Sequence, residues 1–370
     1  MLRYAGAVAA FLIGSGFASG QEVVQFFTGY GAVRGLLGAL LSLAVLGFMC
    51  ALTVADARRE GGGGNVFARY CGPRLGGLLG WLLPAFLLGM YAVMLAGAGA
   101  LGAQAFGWPV AAGRLGMLAL SLITVLAGLN RLTDIVGRAG PVLLGLVLLV
   151  SAGALAQNPG GPAQGEALRL AAALPRAAKS WWVAALCYAA FNAFSMMPFL
   201  AGLAGQMAAA GLPKKRCVRA ALVGTGGFAG AAALLHLALS AHLPEILGSE
   251  VPTVLLAEGL CGGGGRLFAP VLLAGVYTTA VPMLWTISRR LAPAEHTPRL
   301  CAAACLAALA GFAGSALPFG RLVGALYPVI GYMGLLVLAG MAADVVRRRA
   351  PRRRTAQSWR SFWQGENAVR

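Results

Sequence analysis

The stretch Ala10–Thr28, AFLIGSGFASGQEVVQFFT, decides how this chain is read. Apolar and small residues lead into it from Tyr4, and apolar residues resume at Val23. Between them lie Gly14, Ser15, Gly16, Ser19, Gly20, Gln21 and Glu22. Glycine in a helix interior costs about 1 kcal/mol. A carboxylate near mid-bilayer costs at least about 2.5 kcal/mol on insertion scales. Such an interruption is tolerated only where it lines a cavity inside the protein. Helices interrupted in this way build the central site of many secondary transporters.

The rest of the composition agrees with a membrane setting. Of 370 residues, 59% are hydrophobic and 11% charged, with mean hydropathy +0.78. Soluble domains carry about 25% charged residues. The apolar segments are long, continuous and rich in Gly, Ala and Leu, which argues helices and not a barrel of alternating strands. The net charge of +18 does not indicate nucleic acid, because the basic residues fall in the gaps between apolar segments. The 7 cysteines form no CxxC pair and are scattered, which argues against a disulfide framework or a metal site. Arg3, the apolar run and Ala18–Gly20 mimic a signal peptide, but the topology needs this first segment.

Ten apolar segments are expected, near 4–29, 32–57, 75–105, 109–129, 132–156, 180–206, 216–240, 267–288, 299–317 and 320–346. An even count places both termini on one side. On that arrangement all but seven of the 29 basic residues share the terminal side. The exceptions are Arg34, Arg114, Arg169, Arg176, Lys179, Arg266 and Arg321. The asymmetry predicts cytoplasmic termini. Residues 1–346 then form a single transmembrane domain, with halves of about 1–157 and 180–346, followed by a basic cytoplasmic tail, 347–370, suited to anionic lipid. Of the loops facing the other way, Asn158–Lys179 includes NPGGPAQGE and a stretch suited to an interfacial helix. His242–Gly265 reads as short capping helices. Gly61–Gly64 and Gly262–Gly265 read as flexible connectors; neither follows a strand, so neither is a phosphate-binding loop.

Segments one and six are the most interrupted. The sixth, SWWVAALCYAAFNAFSMMPFLAGLAGQ, carries Tyr188, Asn192, Ser195 and Pro198. Five segments per half is odd, so the halves would be inverted, with both broken helices at the binding site. Ser15, Ser19 and Glu22 would share one face of an unbroken helix, as would Tyr188, Asn192 and Ser195. A half-helix starting near Phe17 would offer N–H groups to a carboxylate; the bland reading is that the glycines only permit close helix packing. Glu22 could take a proton or cap the broken helix. Gly275, Thr278 and Thr279 share a face, as an oxygen cage for a small cation or as hydroxyls bonded to their own helix. Tyr91 is the one strongly polar group at the centre of segment three. His236 reads as a helix–helix contact, and Asp134 and Asp344 as solvated or paired with Arg131 and Arg347.

IGSGF at Ile13–Phe17 resembles the glycine motif of the amino acid–polyamine–organocation superfamily. GSGFASGQEVVQFF, with YAAFN at Tyr188–Asn192 and LYPVIGYMG at Leu326–Gly334, resembles YkvI-type membrane proteins. The resemblance implies a LeuT-type fold of two inverted five-helix repeats. It also implies a sodium ion held by the carbonyls of Ala10, Ile13 and Gly275 and the hydroxyls of Thr278 and Thr279, with Tyr91 near the substrate. Glu22 departs from the sodium-coupled pattern.

The expectation is therefore an all-α membrane protein of ten transmembrane helices, one and six broken, in a bacterial inner membrane. It would carry an amino acid or related zwitterion with sodium, using Gly14, Ser15, Gly16, Phe17, Ser19, Glu22, Tyr91, Tyr188, Asn192 and Ser195. The rivals are proton coupling through Glu22 with a cationic or carboxylate-free solute, and a non-transporting sensor or scaffold. No HExxH and no nucleophile–His–acid set points to an enzyme, and no cofactor beyond sodium is implied.

Overall fold

A computed structural model describes residues 1–59, 65–127, 132–160, 174–292 and 298–349. Within them the chain is helical. Segment one is three short helices, α1 Leu2–Leu12, α2 Ser15–Ser19 and α3 Gln21–Phe26, closed by a 3-10 turn at Thr28–Tyr30. There follow α4 Ala32–Ala57, α5 Val66–Phe106, α6 Val110–Ala127 and α7 Leu132–Gln157. The second half comprises α8 Trp181–Ala209, α9 Lys214–Ala241, α10 Leu243–Ile246 and α11 Pro252–Leu260, then α12 Gly264–Leu291, α13 Pro298–Gly314 and α14 Phe319–Arg349. Seven of these helices are long and apolar enough to cross a bilayer, with mean hydropathy between 1.6 and 2.3. Leu2–Leu12, Pro141–Gln157 and Pro298–Gly314 are shorter apolar helices.

The packing places segment one and α8 inside. α8 lies between α4 and α14, α1 between α7 and α9, and α5 against α6, α12 and α14. Ala10, Ile13, Phe17, Val23 and Phe27 have 0–1% of their surface exposed. Trp81, Ile123, Leu149 and Leu267 are instead exposed. That inversion is what a helix bundle facing lipid requires, since apolar side chains there need no burial in protein.

Three expectations change. Segment six does not break: α8 runs continuously through Asn192, Ser195 and Pro198. A proline removes one N–H, and a nearby amide can satisfy its own helix, so neither forces the backbone out. Segment three is entered by a kink at Gly72 (φ 77°, ψ 172°) before Pro73, with Asn65 accepting from the N–H groups of Phe67 and Ala68 ahead of it. The Gly262–Gly265 stretch is an ordered helix start. Gly263 is left-handed, and Glu258 accepts from the N–H groups of Gly263 and Gly265, each at 2.8 Å. Those two amides hold the Glu258 carboxyl below the usual carboxylate range. The short helices expected in 242–265 are present as α10 and α11. The Gly61–Gly64 connector, the interfacial stretch at 161–173, the Asp134–Arg131 pairing and the tail from 350 lie outside the described residues or side chains.

The ends are tied by polar contacts. Asp56, 1% exposed at the end of α4, accepts from both terminal nitrogens of Arg348 at 2.9 and 2.8 Å, from Arg69 at 3.1 Å and from the Tyr70 hydroxyl at 3.1 Å. Asp344 pairs with Arg348 one turn on, not with Arg347. The other end is closed over α2 and α3. Thr253 of α11 donates to the Ala18 carbonyl at 2.6 Å, and Gln21 donates to the Ser249 carbonyl at 2.6 Å. His236 is a satisfied helix contact, bonded to the Thr28 hydroxyl at 3.1 Å and the Ala32 carbonyl at 2.8 Å.

Candidate functional site

The site is built on the interruption of segment one. After Leu12 the chain leaves helical geometry at Ile13 (φ −84°, ψ 71°) and Gly14 (φ −83°, ψ −177°). It turns again at Gly20, whose φ of 89° ends α2 and favours a residue without Cβ. The second half is therefore not the single half-helix expected to start near Phe17. It is two short helices set at an angle. Ser15, Ser19 and Glu22 consequently do not share a face. The Ser15 N–H points at the Met94 sulfur, 3.3 Å away, and its hydroxyl donates to the Val93 carbonyl. Ser19 donates to the Gly16 carbonyl at 3.0 Å and accepts from the Gln21 N–H. Phe17 is buried against Phe228, ring centroids 4.6 Å apart.

Glu22 folds back onto the break. Its carboxylate lies so close to Gly16 that a Cβ there would sit 2.3 Å from Oε1, and it accepts from the Phe17 N–H. One amide expected to meet a substrate carboxylate, that of Phe17, therefore already meets the carboxyl group of Glu22. The carboxylate is 3% exposed. No ion pair to it forms among the described residues. Facing it are the hydroxyls of Tyr188 on α8 and Tyr327 on α14. These groups adjoin without closing hydrogen bonds: Glu22 Oε2, Tyr188 Oη and Tyr327 Oη are each buried without a partner. Orphaned buried polar atoms of this kind cost about 1–3 kcal/mol each unless a water, an ion or a solute completes them.

They adjoin a small cavity. Its polar lining is Glu22, Asn192, Ser195, Thr279 and Tyr327; its apolar lining includes Phe11, Met90, Met94, Phe191 and Met283, with Gly14 at the break. The enclosed volume of about 20 Å³ admits about one water molecule. Larger hollows lie elsewhere, notably an apolar groove of about 400 Å³ between α6 and α12. That groove lacks convergent polar groups and lies on an outer face, so the small interior cavity is the better candidate.

Of the residues expected at the substrate, Gly14, Glu22, Asn192 and Ser195 line this cavity, while Tyr188 stands beside it through Glu22. Asn192 also donates to the Tyr188 carbonyl of its own helix at 3.0 Å. Tyr91 does not join them. Its hydroxyl pairs with Ser121 of α6 at 2.7 Å and its ring packs over Gly311 of α13. The neighbouring turn of α5 instead presents Met90 and Met94. One position around a helix is about 100° of rotation, enough to turn Tyr91 away.

The expected cation ligands partly assemble. Thr279 donates across to the Ile13 carbonyl at 3.2 Å and lies 3.3 Å from the Gly275 carbonyl; Thr278 donates to Gly275 at 2.9 Å. Thr279 thus pins the break to α12. Thr278 is a hydroxyl bonded to its own helix, and Ala10 is buried one turn before the break.

Sequence reading missed Tyr327 and Asp56. Tyr327 stands in the LYPVIGYMG stretch, and a hydroxyl in an otherwise apolar span was the available signal. Asp56, at the end of α4, is one of two acids, with Glu60, beside the Arg-rich gap that follows, but its partner, Arg348, is 292 residues away.

The comparisons bear on this geometry. Nucleobase–cation symporter Mhp1 aligns over 90% of this chain and 76% of its own in its closed, bromovinylhydantoin-bound form, at TM-score 0.55 and 17% identity. Its inward-facing form gives 0.58 at 16% identity, over 94% and 77%. The chain shares the fold of Mhp1. A variant of the Eremococcus coleocola manganese transporter also aligns, at TM-score 0.54 and 14% identity over 92% and 78%. In sequence the chain is similar to the uncharacterized membrane protein YkvI of Bacillus subtilis, 24% identical over 350 residues, 93% of this chain and 94% of that one. No family model matches.

Proposed function

We propose that this chain is a secondary active transporter that binds a small solute at the Ile13–Gly14 break and moves it by alternating access, with sodium as coupling ion. The observation that carries the reading is the convergence of Glu22, Tyr327, Asn192 and Thr279 from four separate elements on one interior cavity beside a non-helical backbone, with Tyr188 next to Glu22. Polar groups at such depth are retained where they serve a solute path. The cavity is too small for any organic solute, so binding must part the helices around it and couple occupancy to conformation. The Asp56–Arg348 contacts at one end and the Gln21–Ser249 and Thr253–Ala18 contacts at the other are the closures such a cycle would exchange. The charge asymmetry favours ten crossings with cytoplasmic termini, and five crossings per half would make the two halves inverted in the bacterial inner membrane.

Sodium is favoured by Thr279, whose hydroxyl stands between the Ile13 and Gly275 carbonyls. Hard oxygen donors of this kind suit a small cation. Proton coupling is the second reading, favoured by the unpartnered Glu22 oxygen facing Tyr188 and Tyr327.

Proteoliposomes test both. Labelled small amino acids and amines are offered with an inward sodium gradient, with a proton gradient, and with neither. Accumulation that follows the sodium gradient and loses that dependence in Thr279→Ala is the expected result. Dependence on protons alone, lost in Glu22→Gln, selects the second reading. Failure of every solute to accumulate or exchange overturns the transporter assignment.

A further inference from the structure

We propose that the solute carried at this site is a small organic cation with a primary ammonium head and no carboxylate. The inference rests on the transporter reading and names its substrate class.

The first ground is what already occupies the interrupted backbone. The Glu22 carboxylate lies against Gly16 and takes the Phe17 N–H. A solute carboxylate brought to the same turn would find that amide already taken by an acid of the protein, and two carboxyl groups sharing a buried site repel when both are ionised. No Lys, Arg or His lines the cavity to offset that repulsion.

The second ground is the set of unused acceptors. Glu22 Oε2, Tyr188 Oη and Tyr327 Oη come from α3, α8 and α14, are buried and face one another, and none of the three closes a well-formed hydrogen bond. An ammonium carries three N–H donors and no acceptor. Three N–H donors against three oxygens fill one acceptor site on each, and the two tyrosine hydroxyls stay free to donate to the Glu22 carboxyl. A carbonyl or carboxylate solute would leave Glu22 unpaired. A quaternary ammonium would match its charge but bond none of the oxygens.

The third ground is the rest of the wall. Phe11, Phe191, Met90, Met94 and Met283 are apolar and, in the methionines, adaptable. They suit a short hydrocarbon body.

The test uses the full chain in lipid nanodiscs at fixed sodium concentration, with binding read as ligand-induced thermal stabilisation. The probes are n-butylammonium, tetramethylammonium, butyrate and alanine. Butylammonium should stabilise the protein with saturation, and tetramethylammonium should bind at least about 10-fold more weakly for want of donors. Butyrate and alanine should give no shift at equal concentration. Tyr327→Phe, which keeps the ring and removes one oxygen, should weaken butylammonium about 10-fold. Glu22→Gln should weaken it about 100-fold, and Tyr327→Phe keeps the proposal open to test should Glu22→Gln not fold. Stabilisation by alanine or butyrate with none by butylammonium overturns the substrate class and leaves transport standing. Equal affinity of butylammonium for the parent and both variants also overturns it. Absence of any shift, together with no accumulation of any solute in proteoliposomes, removes the transporter reading itself.

Discussion

Segment one and α8 were expected to behave alike, and they do not. Both cross the interior, both carry polar residues at helical spacing, and both contribute to the same cavity. Yet the backbone leaves helical geometry at Ile13–Gly14 and again at Gly20, whereas α8 continues through Asn192, Ser195 and Pro198. The difference lies in what each interrupting residue does locally. A glycine removes the Cβ and frees φ, so the chain turns wherever neighbouring groups reward the turn. Here Met94, Val93, Thr279 and Glu22 all meet groups at or just after the break. Asparagine and serine only add hydrogen-bonding capacity, and Asn192 spends part of it on its own helix. Polar residues in a span thus mark a lining face, while glycines with outside partners mark a break.

The strongest way to break this comparison is to place the same methyl group in both elements. Gly16→Ala sets a Cβ 2.3 Å from Glu22 Oε1 and 2.6 Å from its Cγ. Overpacking of this kind costs about 1–3 kcal/mol, so the melting temperature should fall and solute-dependent stabilisation should vanish. An unchanged protein would mean that Glu22 does not rest on the break.

Next in size is the contrast between adjacent hydroxyls. Thr279→Ala removes the one side-chain bond from α12 to the Ile13 carbonyl and should cost about 1–1.5 kcal/mol. It should also raise hydrogen exchange around residues 13–16. Thr278→Ala, which removes only a bond within α12, should leave that exchange unchanged. Equal effects would deny Thr279 its special place.

In α8 the glycine effect should reverse sign. A methyl group on Gly202 would meet nothing within 4 Å, so Gly202→Ala should stabilise by up to about 1 kcal/mol through helix propensity alone. Destabilisation there would show α8 to be less regular than described.

The smallest expected effect concerns Pro198. In a helix that stays continuous through the cycle, Pro198→Ala restores one N–H, should not destabilise the protein, and should leave uptake rates unchanged. A slowed uptake with unaltered solute affinity would mean that α8 opens at Pro198 during transport.

Much of this was legible in the sequence. Long apolar segments must be helices in lipid because no other open structure satisfies the backbone there. The cluster of Gly14, Gly16 and Gly20 therefore announced a break before any contact was known. The face shared by Tyr188, Asn192 and Ser195 followed from helical spacing, and so did the proximity of Thr278 and Thr279 to Gly275. What stayed hidden was everything set by rotation and long-range approach. Tyr91 and Met94 are equally central in their segment, but only packing against α6 and α13 turns Tyr91 away from the cavity. Tyr327 joins Glu22 from more than 300 residues along the chain, and Asp56 finds Arg348 from nearly as far. Period and composition determine which residues can leave a helix or avoid lipid, since those are local costs that each residue bears alone. Which carboxylate meets which amide, and which hydroxyls remain without a partner, only the tertiary structure decides, because hydrogen bonds and charges act over a few ångströms and the fold alone sets those distances.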